Sequence, residues 1–146
     1  MIPLNPWELQ TPAKALYSSC MEPICRKYEI TRTGLDILLF LANNPVYNTA
    51  ADIIEIRRLA KSHVSTSIKA LEELGYLKKS VVPGNRRSIC LSVCEKAAGL
   101  ISDGQRAQEK FMSVMFAGID EKDLQTLQTC FAHMQLNIKK YLEEVH

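Results

Sequence analysis

The sequence predicts a mainly α-helical chain interrupted by one small β-hairpin, an α+β arrangement. Three observations carry this. Apolar residues recur at steps of three and four over most of the 146 residues. The clear period-two run is "SICLSV", where Ile89, Leu91 and Val93 share one face and Ser88, Cys90 and Ser92 the other. Between that run and "YLKKSVV" stands Pro83-Gly84-Asn85, the composition of a hairpin turn.

Each element follows in order. Trp7 to about Lys27 reads as a first helix, with Ala13, Leu16, Tyr17, Cys20, Met21 and Ile24 at helical spacing; Pro23 predicts a kink or break. "TRTGLDILLFLANN" reads as a second helix, capped by Thr31, buried on most sides and ended by Pro45. A short third helix, "TAADIIEI", follows Asn48 or Thr49. The fourth starts at Lys61 or Ser62: Val64, Ile68, Leu71 and Leu74 form one apolar stripe, and Gly75 suits its C-terminal stop. The two strands come next, with "PGNRR" as the hairpin tip, where Gly84 and Asn85 tolerate positive φ. Ser92 and Glu95 have capping-box spacing, so a fifth helix is expected from Val93 or Cys94 to about Ala117, with Gly99 and Gly104 as weak points. Gly118 reads as a stop. Asp120 then caps a last helix to about Glu144, with a long apolar stripe of Leu124, Leu127, Phe131, Met134, Ile138, Tyr141 and Leu142. Short helix, tight turn, second helix and hairpin is the winged helix-turn-helix arrangement.

Composition narrows the class. A hydrophobic content of 47% in a chain of this length supports a real core, so disorder is not expected. The longest apolar run, Ile37 to Ala42, is far too short to span a bilayer, and the N-terminus has no basic leader before an apolar block. Both predict a cytoplasmic protein with no membrane partner. The five cysteines are odd in number and form no Cys-x-x-Cys pair, which argues against a disulfide framework or a zinc site. No phosphate loop, catalytic Cys/His spacing or metal motif is present, and His63, His133 and His146 are scattered. No enzymatic activity and no cofactor are expected.

Charge is unevenly placed. The whole chain is only +2, but from Arg57 to Cys90 eight Lys/Arg face two Glu, for +6, leaving −4 elsewhere. Such asymmetry marks a segment that binds a polyanion, or else a solvated basic face. Within it, the fourth helix turns Lys61, Ser62, His63, Ser65, Thr66 and Lys69 away from its apolar stripe. Small hydroxyls permit close approach to a DNA major groove, whose base edges such side chains can meet. A hairpin tip carrying Arg86 and Arg87, beside Asn85, can reach a minor groove, whose negative potential attracts guanidinium. Lys78, Lys79, Arg57 and Arg58 suit phosphate contacts. Each could instead be merely solvated.

These residues resemble a known family. "LEELGYLKK…VVPGNRRSICLSVCEKA" is similar to the helix end and wing of the MarR family of bacterial transcription regulators. "MEPICRKYEITRTGLDILLFL" upstream and "GIDEKDLQTLQTCF" downstream extend the likeness over nearly the full chain. Four positions depart from the family pattern. Asn85 replaces the Asp that precedes the two arginines, Cys94 and Ala97 replace a capping Thr and a Gly, and Thr66 replaces an arginine of the recognition helix.

The resemblance implies a homodimer on double-stranded, pseudo-palindromic DNA, acting as a repressor released by a small aromatic or drug-like ligand. Its organisation would be an N-terminal dimerisation region (1–30), a winged helix-turn-helix lobe (31–93) and C-terminal dimerisation helices (94–146). The dimer interface would use Leu127, Phe131, Met134, Ile138 and Tyr141, on a helix too apolar to stand alone in water. Some family members sense hydroperoxides through a first-helix cysteine. Cys20 and Cys25 lie nearby here, while the matching position is Ala13. A redox-sensing regulator, or a winged-helix interaction module without DNA binding, are the alternative readings.

Overall fold

The structure, a computed structural model, describes residues 5–82 and 85–145, and for residues 82 and 85–88 the backbone alone. The elements are α1 (Pro6–Tyr28), α2 (Arg32–Asn43), α3 (Ala50–Arg57), α4 (Lys61–Glu73), β1 (Leu77–Val82), β2 (Asn85–Val93), a single 3₁₀ turn (Glu95–Ala97), α5 (Ala98–Met115) and α6 (Glu121–Val145). Residues up to Met112 form one compact unit and those from Ser113 a second.

The core of the first unit is built around α2. Seven of its 12 residues are buried, including Leu35, Ile37, Leu38, Leu39, Phe40 and Leu41. A helix apolar on nearly every side has to be surrounded. Met21 and Ile24 of α1, Ile53 of α3, Val64, Ile68 and Leu71 of α4, Leu77 and Leu91 of the hairpin, and Leu100 and Ile101 of α5 do so. Thr31 caps α2 as expected, its Oγ1 accepting from the Gly34 N–H at 3.0 Å.

Of the kink or break expected at Pro23, the break does not occur: α1 runs unbroken through Pro12 and Pro23. Met21, fully buried, and Ile24, nearly so, flank Pro23. Their packing outweighs the lost backbone hydrogen bond, a loss of roughly 3 kcal/mol in an unsupported helix.

α3 begins with a full capping box. Thr49 Oγ1 accepts from the Asp52 N–H at 3.1 Å, and Asp52 Oδ2 accepts from the Thr49 N–H at 3.3 Å. The turn to α4 is tight because Arg58 takes a left-handed conformation, φ 51°. Gly75, φ 81°, follows the end of α4 and feeds β1.

β1 and β2 pair antiparallel from Leu77↔Val93 to Val81↔Ile89, and then Val82 pairs with Asn85. That step leaves Arg86, Arg87 and Ser88 without partners on β1, a bulge in β2. The wing tip is therefore shorter than "PGNRR": Asn85 and both arginines have strand backbone, and residues 83–84 lie outside the described residues. The segment before α3 joins the wing. Leu91 N–H donates to Asn48 O at 2.7 Å, and Thr49 forms an isolated bridge with Cys90.

The Ser92–Glu95 capping box is absent. Ser92 lies inside β2, paired with Lys78, and Cys94 takes the cap position without a side-chain bond. The sheet's demand for Ser92 overrides its capping propensity. Asp120 does cap α6, its Oδ1 accepting from the Asp123 N–H at 2.8 Å.

Candidate nucleic-acid interface

α4 projects what its sequence promised. Lys61, Ser62, His63, Ser65, Thr66 and Lys69 are all exposed, while Val64, Ile68 and Leu71 are buried. At about 3.6 residues per turn, Ser62, Thr66, Lys69 and Glu73 lie opposite the buried line, with His63 and Ser65 flanking them. The hydroxyls of Ser62, Ser65 and Thr66 have no hydrogen-bond partner among the described residues. By contrast, those of Thr126 and Thr129 on α6 are engaged by carbonyls one turn back. The N-cap of α4 is Ala60, which supplies no side-chain bond, and no acidic residue stands in the first turn. The first N–H groups of the helix and their partial positive charge are left uncapped by side chains.

The structure sorts the neighbouring cations. Lys78 and Arg58 are exposed. Lys79 is also exposed but is held 2.9 Å from Glu72, an ion pair that ties β1 to α4. Arg57 closes α3 and lines two cavities that it shares with Tyr17. The side chains of Asn85, Arg86 and Arg87 lie outside what the structure describes. Their backbone places them on the bulged arm of the wing.

Sequence reading could not name one feature: a cavity of about 500 Å³ lined by Gln10, Ala13, Lys14, Tyr17, Ser18, Arg32, Arg57 and Phe111. The Tyr17 and Phe111 rings meet edge to face at 5.1 Å, and the Arg32 guanidinium sits 4.6 Å over the Tyr17 ring. Arg32 is already engaged by Asp36, 3.1 Å away, whereas Arg57 has no partner among the described residues. Two aromatic rings and three cations round one cavity suit a flat anionic guest. In the sequence these residues are spread over 102 positions, and no local motif joins them.

Cys20 and Cys25 are half-buried free thiols. Burial pushes the Cys25 thiol above its usual pKa, against a smaller opposing pull from Arg32. That keeps Cys25 protonated, the reverse of what a peroxide-reactive cysteine needs. Among the described residues no cluster of His, Cys, Asp or Glu could hold a metal ion, and no helix is long and apolar enough to cross a membrane.

In the second unit, α6 has no buried residue. Phe131, Met134, Ile138 and Tyr141 are exposed, as are Leu136, Leu142 and Val145; Leu127 is half-buried.

The sequence profile of the MarR family matches residues 28–88, from the end of α1 into β2. Over those residues the chain is similar to the MarR family. Solved MarR-family structures share its fold. One is a Listeria monocytogenes protein assigned to the MarR family transcriptional regulators and complexed with a 26mer DNA. It is 20% identical, with a TM-score of 0.80 over 94% of this chain and 90% of that one. A MarR protein from Peptoclostridium difficile is 14% identical, with a TM-score of 0.77 over 100% and 98%. The transcriptional regulator SlyA is 22% identical, with a TM-score of 0.75 over 95% and 96%. No curated protein sequence matches the chain. The MarR-family match ends at Ser88, so it takes in α2, α3, α4 and both wing arginines but not α5 or α6.

Proposed function

We propose that this chain is a sequence-specific DNA-binding transcription regulator of the MarR family. It represses by occupying a pseudo-palindromic operator as a homodimer. The observation that carries this reading is the outward face of α4: hydroxyls and cations without partners, opposite a fully buried line, beside a basic wing. α4 enters the major groove, the Arg86–Arg87 arm approaches the minor groove, and Lys78 and Arg58 meet phosphates. The DNA held by the Listeria relative supports the same use of the fold. α6 pairs with a second copy through Leu127, Phe131, Met134, Ile138 and Tyr141, which are otherwise left in water. Release follows binding of a small aromatic acid in the Tyr17–Arg57 cavity, because Arg57 is the last residue of α3 and its movement is felt by the turn into α4.

Selection from a randomised duplex library with the full chain tests the reading. Enrichment of an inverted repeat is expected. Recovery of duplexes with no shared sequence would overturn it.

A further inference from the structure

α4 contains no Arg, Asn or Gln. Of the side chains that grip a purine edge with two hydrogen bonds, Arg or Lys at guanine and Asn or Gln at adenine, it offers only lysine. The helix instead presents Ser62, Thr66 and Lys69 opposite its buried line, with Ala70 exposed beside them. Thr66 and Ala70 are four residues apart, so their methyl groups stack one turn above the other on an otherwise polar face. The Thr66 hydroxyl has no partner among the described residues, and Lys69 has no ion pair among them. The apolar group that a major groove offers is the 5-methyl of thymine.

We infer that Thr66 and Ala70 are specificity-determining residues that read thymine methyl groups in each operator half-site. Lys69 supplies the one positive charge on that line, at a guanine edge or a phosphate. Recognition by α4 therefore rests mainly on small apolar contacts, with lysine as its means of reaching a purine edge. The inference deepens the DNA-binding reading above and rests on it.

The test uses the duplex recovered by library selection with the full chain. Each thymine is replaced in turn by deoxyuridine, which removes only the methyl group and keeps the base pair. Affinity is followed by fluorescence anisotropy for the wild type and for Thr66→Ser, which keeps the hydroxyl and removes the side-chain methyl. For the wild type, one or more deoxyuridine positions in each half-site weaken binding about fourfold, the worth of one buried methyl group. In Thr66→Ser at least one of those positions becomes indifferent to the swap. Wild-type affinity unchanged by every uridine, or an equal penalty from Thr66→Ser on thymine and uridine duplexes, would overturn the inference and leave the DNA-binding reading standing. Failure to retain any duplex would overturn both.

Discussion

Tyr28 Oη donates a 2.7 Å hydrogen bond to Asp103, joining the last residue of α1 to the second turn of α5. Lys27 Nζ reaches the same oxygen at 2.9 Å, and the Arg106 guanidinium meets the other. The hydrogen bond from Lys27, then that from Tyr28, holds the Asp103 carboxyl below its usual pKa. The hydrogen bond to Asp103 in turn raises Lys27 and Tyr28 above theirs. A lowered carboxylate stabilises the fold above its unfolded value of about 3.9 and loses that effect as pH falls through the folded value. A raised Lys or Tyr stabilises below its unfolded value of about 10 and loses the effect as pH rises through the folded one. Asp103→Asn should therefore lower Tm by a constant amount between about pH 5 and 9, and the gap should close below about pH 4 and above about pH 10. Thermal melts across that range check it, and a gap independent of pH would refute the cluster's role.

Gly104, expected to be a weak point of its helix, packs directly against Leu39 of α2. A Cβ built there would lie 2.8 Å from Leu39 Cδ2 and 3.1 Å from Leu39 Cδ1, and Leu39 is itself fully packed. Gly104→Ala should cost about 1–3 kcal/mol by overpacking, against the gain of up to about 1 kcal/mol that alanine gives in an open helix. Urea unfolding gives the sign directly.

The apolar side of α6 makes a second claim testable. Ile138 is 59% exposed in the single chain. Ile138→Glu should leave the unfolding midpoint of the first unit unchanged, convert a dimer to a monomer in sedimentation, and weaken operator binding with it. A monomeric wild type would remove the proposed interface.

Lysines of the basic segment should differ in their effects. Lys69, free of ion pairs among the described residues, should on substitution by alanine reduce the slope of log affinity against log salt by about 1. Lys79 is already neutralised by Glu72 at 2.9 Å, so Lys79→Ala should change the slope much less. Equal slopes for the two variants would show that the pair opens on DNA.

The helix-turn-helix was legible because burial imposes period. Val64, Ile68 and Leu71 face inward as their stripe required, which set Ser62, Thr66 and Lys69 outward, whereas Leu74, counted in the same stripe, is exposed at the helix C-cap. Caps with short side chains, Thr31 and Asp120, were legible from local chemistry, and Thr49 was one of two candidates. What failed was local chemistry overruled by longer-range contacts. Pro23 is held in α1 by Met21 and Ile24, Ser92 is claimed by its pairing with Lys78, and Gly104 is dictated by Leu39, 65 positions earlier. The cavity of Tyr17, Arg32, Arg57 and Phe111 joins residues of four different helices, and no spacing rule brings such residues together.

The central claim is that α4 and the wing read DNA. The most direct measurement titrates a labelled duplex recovered by selection, and a scrambled duplex of the same composition, with the full chain at about 50 mM and 200 mM salt. The account predicts a clear preference for the selected duplex and a loss of about 10³-fold or more in affinity between the two salts, as six or more phosphate contacts by a dimer require. Equal affinity for both duplexes, or affinity indifferent to salt, would contradict it.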